Sequence, residues 1–195
     1  MMIDIGPATV RMADLLASVS DDQLELPTPC PATPVGQLVD HVGTLTVAFT
    51  SVARKENVGA PSPPSATNLE DGWRDRIARD LDTLNQAWQD GAAWAGMTVA
   101  GGIDLPGEVA GLVVLDELLV HGWDIMISIG ATSIGRRYEP SPAEIEAAAS
   151  FVASFDAPRD GSLFGPVVPV PAEAAPFDRL LGLTGRDPKW QPTNP

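Results

Sequence analysis

The stretch from Val109 to Ile129 constrains this chain more than any other feature. It is apolar almost throughout, yet it carries Asp116, Glu117, His121 and Asp124. A run of this length is long enough to span a bilayer, but four polar groups inside it would be costly in hydrocarbon. It therefore reads as a buried core helix over 107–130 and not as a membrane segment. A helix that is apolar on every side needs neighbours on every side, and the remaining sequence must supply them.

Three further helices are legible before it. Pro7 at a first-turn position, followed by Val10, Ala13, Leu16 and Ala17, predicts a helix ending near Ser20, ahead of Asp21-Asp22. The loop Leu26-Pro27-Thr28-Pro29-Cys30-Pro31-Ala32 holds too much proline for a helix. Thr33-Pro34 then predicts a capped start, with Val35, Leu38, Val42, Leu45 and Phe49 as the inward stripe of a helix running to about Arg54. Gly59 to Thr67 reads as a flexible, solvated connection. Asn68 is the expected cap of the third helix, which carries Leu69, Trp73, Ile77, Leu81, Leu84 and Trp88 inward.

Met97 to Leu105, with Gly101-Gly102 in its middle, predicts a short extended hairpin. Ser141-Pro142-Ala143-Glu144 is a capping-box pattern for a helix reaching about Phe155. An extended run, Phe164 to Pro171, and a short helix, Phe177 to Leu183, complete the chain. The expectation is a single domain over 1–195, an all-α four-helix bundle with a short hairpin, and an extension of about 156–195 packed upon it. At 195 residues, such a domain buries about 70% of its unfolded surface.

Charge narrows the partners. With Lys+Arg 12 against Asp+Glu 26, the net charge is −14, a surface that repels phosphate backbones, so nucleic acid is set aside. The opening residues lack a basic region followed by an apolar run, so no signal peptide is expected. The lone Cys30 fits a reducing compartment. A cytoplasmic protein without membrane partners is expected. Bundles of this kind can pair through an apolar helix face, so a homodimer is compatible with the sequence.

Only two histidines occur, His41 and His121, and both fall on or beside core-facing stripes. Glu117 and His121 are four residues apart, on one helix face. With His41 they would supply two imidazoles and a carboxylate, a set that suits zinc in open catalytic sites and ferrous iron in a facial arrangement. Nickel accepts the same ligands. The spacing alone is weak, since 26 of 195 positions are acidic. The stronger signal is the cost of burying charge in an apolar helix, because such charge must be paired or metal-bound. The plainer alternative is that Glu117 and His121 hydrogen-bond each other or cap a crevice. Asp124, one turn beyond His121, and Asp40, next to His41, are candidates to orient a ligand imidazole. Cys30 reads as a buried structural thiol, Trp123 as core, and Arg136-Arg137 as surface arginines more readily than a carboxylate clamp.

These residues resemble a family. Thr28-Pro29-Cys30-Pro31, Val35, Leu38 and Asp40-His41 look like the TPC-x-x-W-x-V-x-x-L-x-x-H start of the mycothiol-dependent maleylpyruvate isomerase N-terminal domain. Glu117-Leu118-Leu119-Val120-His121-Gly122-Trp123-Asp124 is similar to that family's D/E-LLVHGWD helix. Phe164 to Pro171 and Asp178 to Pro188 resemble the tail of an actinobacterial metal-binding subgroup. The family's tryptophan after the cysteine loop is Thr33 here. The resemblance implies a DinB-like four-helix bundle holding a divalent metal, zinc first among candidates, through His41, Glu117 and His121. It also implies mycothiol, a low-molecular-weight thiol, as co-substrate beside a small-molecule substrate in isomerase or S-transferase reactions. A non-enzymatic metal- or ligand-binding protein with a stress or regulatory role is the alternative expectation.

Overall fold

The computed structural model describes residues 2–57, 59, 62–131, 137–155, 159 and 164–192. Its helices are α1 (Gly6–Ala17), α2 (Val35–Ala53), α3 (Trp73–Trp88), the single turn α4 (Gly91–Trp94), α5 (Gly107–Ser128), α6 (Pro142–Ser154) and α7 (Pro176–Leu183). Between α4 and α5 lies an antiparallel hairpin, β1 (Met97–Ala100) and β2 (Ile103–Pro106). Gly101 and Gly102, at φ 58° and 83°, form its two-residue turn. Positive φ at both central positions is what the tight hairpin turn demands and what glycine allows. Helix α1 packs on α3 and α5, and α2 packs on the same two helices, so α1, α3, α2 and α5 close a ring of four. The all-α bundle with one small hairpin is thus the observed architecture. No helix among the described residues is long and apolar enough to cross a membrane.

The α5 helix is buried on nearly every face, from Ala110, Val114 and Leu115 to Trp123, Ile125 and Met126. Besides α1 and α2 it meets α4, the hairpin and α6. Two glycines make that density feasible. A Cβ on Gly111 would sit 2.4 Å from the Trp94 ring, and one on Gly122 would sit 2.2 Å from the Tyr138 hydroxyl. That hydroxyl donates to the Leu118 carbonyl at 2.7 Å. Helix α6 starts with the expected capping box, Ser141 Oγ accepting from Glu144 N and Glu144 Oε2 from Ser141 N. Through Leu180 and Leu181, both fully buried, α7 joins the same hydrophobic cluster as the bundle.

Four expectations need correction. Val10 is 58% exposed, and α1 turns Ala8, Met12, Leu15 and Leu16 inward instead. The cap of α2 is Pro34, with Val35 its first residue and no side-chain cap bond; the Thr33 hydroxyl donates to Pro31 O. Helix α3 begins at Trp73, after Gly72 in the left-handed region at φ 78°. Asn68 instead ends a 3₁₀ turn (Ala66–Asn68) and gives its amide to Asp40 Oδ2 at 2.9 Å. The same oxygen accepts from Ser65 N at 2.9 Å, so this part of the expected flexible connection is pinned to α2. Parts of that connection, Arg136 of the arginine pair, and segments of the extension between Phe155 and Phe164 and beyond Pro192 lie outside the described residues.

Candidate metal centre

His41 projects from the middle of α2, and Glu117 and His121 from successive turns of α5, because the apolar residues around each pull those helix faces together. One ligand-type atom from each of the three lies within 4.8 Å of the others. Glu117 Oε2 stands 3.0 Å from His121 Nε2 and 3.4 Å from His41 Nε2. The two imidazoles meet edge to face, centroids 5.1 Å apart. Despite these distances, Oε2 is buried and has no aligned hydrogen bond. Atoms that converge on a point without bonding one another are what a shared cation requires.

Asp124 sharpens the case. It is fully buried and accepts from His121 Nδ1 at 3.0 Å. A carboxylate only accepts, so Nδ1 carries the hydrogen and the neutral ring presents a bare lone pair at Nε2. That lone pair faces Glu117 Oε2, another lone pair. Something positive must sit between them, a proton or a metal ion. Without an ion it is a proton. Burial opposes charging His121, but the Glu117 charge and the Asp124 bond prevail and push its pKa up to about 10. Burial likewise resists charge on Glu117, yet the neighbouring His121, then His41, hold the carboxyl well below its usual range. The donor set therefore fits a divalent ion.

Asp124 is itself gripped by Arg186, whose Nη2 lies 3.0 Å from Oδ2 and Nε 3.4 Å from Oδ1. Arg186 Nη1 also donates to Thr184 O at 3.0 Å. The turn before it needs Gly185 at φ 87°, where a Cβ would sit 2.9 Å from Gly165 Cα. The guanidinium is largely desolvated, which disfavours its charge, but Asp124 more than restores it, aided by Cys30 and Glu117. Asp124 thus bonds the His121 ring on one side and the Arg186 guanidinium on the other. The contacts of Asp40 run to Ser65 and Asn68 and not to the ring of His41.

Sequence reasoning missed Arg186 and Asp116. Arg186 sits in the quoted tail motif, but nothing in the sequence links it to an aspartate on a distant helix. Asp116 is buried beside Glu117, its Oδ1 has no partner, and burial, then the Glu117 charge, raises its pKa to about 8.

A cavity of about 790 Å³ opens onto the three residues, within the range of small-molecule sites. Its wall includes His41, Glu117, His121, Arg186, Gln37 and Cys30. Cys30 is a half-buried free thiol on this wall and not the core thiol expected. Thr33, in the place of the family's tryptophan, also lines the cavity. Trp123 is core, as read.

Among known proteins, residues 5–126 match the family model of the mycothiol maleylpyruvate isomerase N-terminal domain. The uncharacterized proteins MT0763 and Rv0738, from Mycobacterium tuberculosis strains CDC 1551 / Oshkosh and ATCC 25618 / H37Rv, are each 32% identical to the chain over 181 residues. Each alignment covers 89% of this chain and 91% of the relative. No solved structure matches significantly.

Proposed function

Since the chain belongs to the mycothiol maleylpyruvate isomerase N-terminal domain family, we propose that His41, Glu117 and His121 hold a divalent cation that serves a thiol-dependent isomerase or S-transferase reaction. The observation that carries the reading is the buried Glu117 Oε2, set within 3.4 Å of two imidazole nitrogens and aligned with neither for a hydrogen bond. Zinc is the first candidate for an open site with two imidazoles and a carboxylate, with nickel or iron also accepted. A cation so placed lowers the pKa of a bound thiol or water, supplying a nucleophile at neutral pH.

The protein's own groups divide the remaining work. Asp124 fixes the His121 tautomer so that Nε2 faces the centre, and Arg186 holds the Asp124 carboxylate in place through both of its oxygens. Glu117 serves as a ligand and not as a general base, because a carboxylate holding an ion is not free to take protons. The cavity has room for a low-molecular-weight thiol, mycothiol by the family's name, to bind beside an electrophilic small molecule.

Elemental analysis of the purified protein and of His121→Ala tests the site, with near-stoichiometric metal expected in the first and loss in the second. Equal metal in both would remove the triad. Turnover of mycothiol with an electrophile, abolished by chelation, is the expected activity; a rate indifferent to chelator would overturn the catalytic role.

A further inference from the structure

The cavity runs along one face of α2, and the residues on that face change character at His41. Toward the start of the helix the wall carries its polar groups, set among Leu38, Pro29 and Pro31: Gln37 and Thr33 on this chain segment, Cys30 in the loop before it, and Arg186 from the tail. Past His41 it is hydrocarbon: Leu45, Ala48, Phe49 and Val52, the three- and four-residue repeats that share a helix face. Helix α5 repeats the change in the opposite chain direction. Val113 stands one turn before Glu117, on the apolar side, while Asp124 and its Arg186 lie beyond His121, on the polar side. At about 1.5 Å per residue, the apolar wall extends roughly 16 Å beyond His41. At its far end stands the hairpin, where Ala100 lines the cavity and Thr98 Oγ1 donates to Val52 O at 2.8 Å.

Leu45, Phe49 and Glu117 also border a recess of about 20 Å³ with Val42, Thr46, Leu84, Val114 and Leu118, hydrocarbon apart from the Thr46 hydroxyl and the Glu117 carboxylate. Arg186 is the one arginine or lysine on the described cavity wall, and it stands at the polar end, paired with Asp124.

We infer that the cavity has two arms with the triad between them, and that its apolar arm (Leu45, Phe49, Val52 and Val113) selects an electrophilic co-substrate bearing a hydrocarbon group, while the polar arm receives the thiol. The inference rests on the reading that His41, Glu117 and His121 hold a cation. It excludes a small dianion as the preferred substrate, since such a molecule would find no cationic side chain on the apolar wall.

The test titrates zinc-loaded protein calorimetrically with acetohydroxamate, butyrohydroxamate, hexanohydroxamate and octanohydroxamate, whose head group seeks the ion. In parallel, ethanol, butanol, hexanol and octanol probe the arm without needing an ion. Affinity is expected to rise about fourfold per added methylene in both series, the ordinary worth of burying one such group. Leu45→Asn and, independently, Val113→Asn should flatten both slopes. Flat series in the unaltered protein, or slopes that both variants leave intact, overturn the inference while acetohydroxamate binding keeps the cation reading alive. A slope with the alcohols and no binding of any hydroxamate sinks the cation reading, and the co-substrate assignment with it.

Discussion

Asp116 stands one residue from a proposed ligand and has an oxygen that nothing satisfies. Its burial raises the carboxyl from 3.8 to about 8, which makes it a stability liability with a definite sign. Between those values the folded protein binds a proton that the unfolded chain has lost, so stability falls as pH rises through that window. Asp116→Asn removes the titration. In the presence of chelator, the variant should exceed the parent protein in thermal denaturation by a margin that is small near pH 5 and largest near pH 9. A gap that does not widen with pH would show that Asp116 finds a partner in solution. Asp124 tests the other side of the site. Asp124→Asn leaves Nδ1 of His121 without its anionic acceptor, and losses of about 10–100-fold in metal affinity are usual for such partners. Competition with a chelating dye measures this directly, and an unchanged affinity would detach Asp124 from the centre.

At the scale of elements, α5 is where sequence and structure agree most closely, and the reason is physical. Its polar residues interrupt an apolar run that could only be buried, so the meeting of Glu117 and His121 with His41 followed from the cost of unpaired charge. Trp73, Ile77, Leu81, Leu84 and Trp88 were legible in α3 for the same reason of periodicity. The start of α3 was not, because Asn68 spends its capping side chain on Asp40, a contact between segments that a local rule cannot see. Val10 misled because α1 has several small apolar residues, and only the docking of α3 and α5 selects among faces. Arg186 escaped for want of any local signal at all. Two element-level changes follow. Ser141→Ala removes the α6 capping box and should cost about 1 kcal/mol in denaturant titration. Gly122→Ala drives a methyl into the Tyr138 ring, whose Cζ would lie 2.3 Å away, and should cost about 1–3 kcal/mol or more as overpacking. If Gly122→Ala is silent in the same titration, Tyr138 is not seated against α5 as described.

For the molecule as a whole, the question is what the positive charge between Glu117 and His121 contributes. In the metal-free protein that charge is a proton, held up to about pH 10; its contribution is complete below the ordinary histidine range and is lost as pH rises through 10. A divalent ion must expel it, since ligands bind in their deprotonated forms. Apparent affinity should therefore climb about tenfold per pH unit below 10, one proton leaving per ion. Binding to the folded state alone stabilises by about 2.7 kcal/mol at a hundredfold excess over Kd, which in a chain of this size moves Tm by roughly 5–11 °C. Scanning calorimetry with and without zinc should accordingly give a gain in Tm that grows from pH 6 to pH 8 and vanishes in His121→Ala. The variant matters because a surface of net charge −14 attracts cations without any site. A gain shared by the variant would mark that diffuse attraction, and a gain independent of pH would mean that the ion displaces no proton from His121. Either result would leave the three side chains as a hydrogen-bonded cluster and move the metal elsewhere.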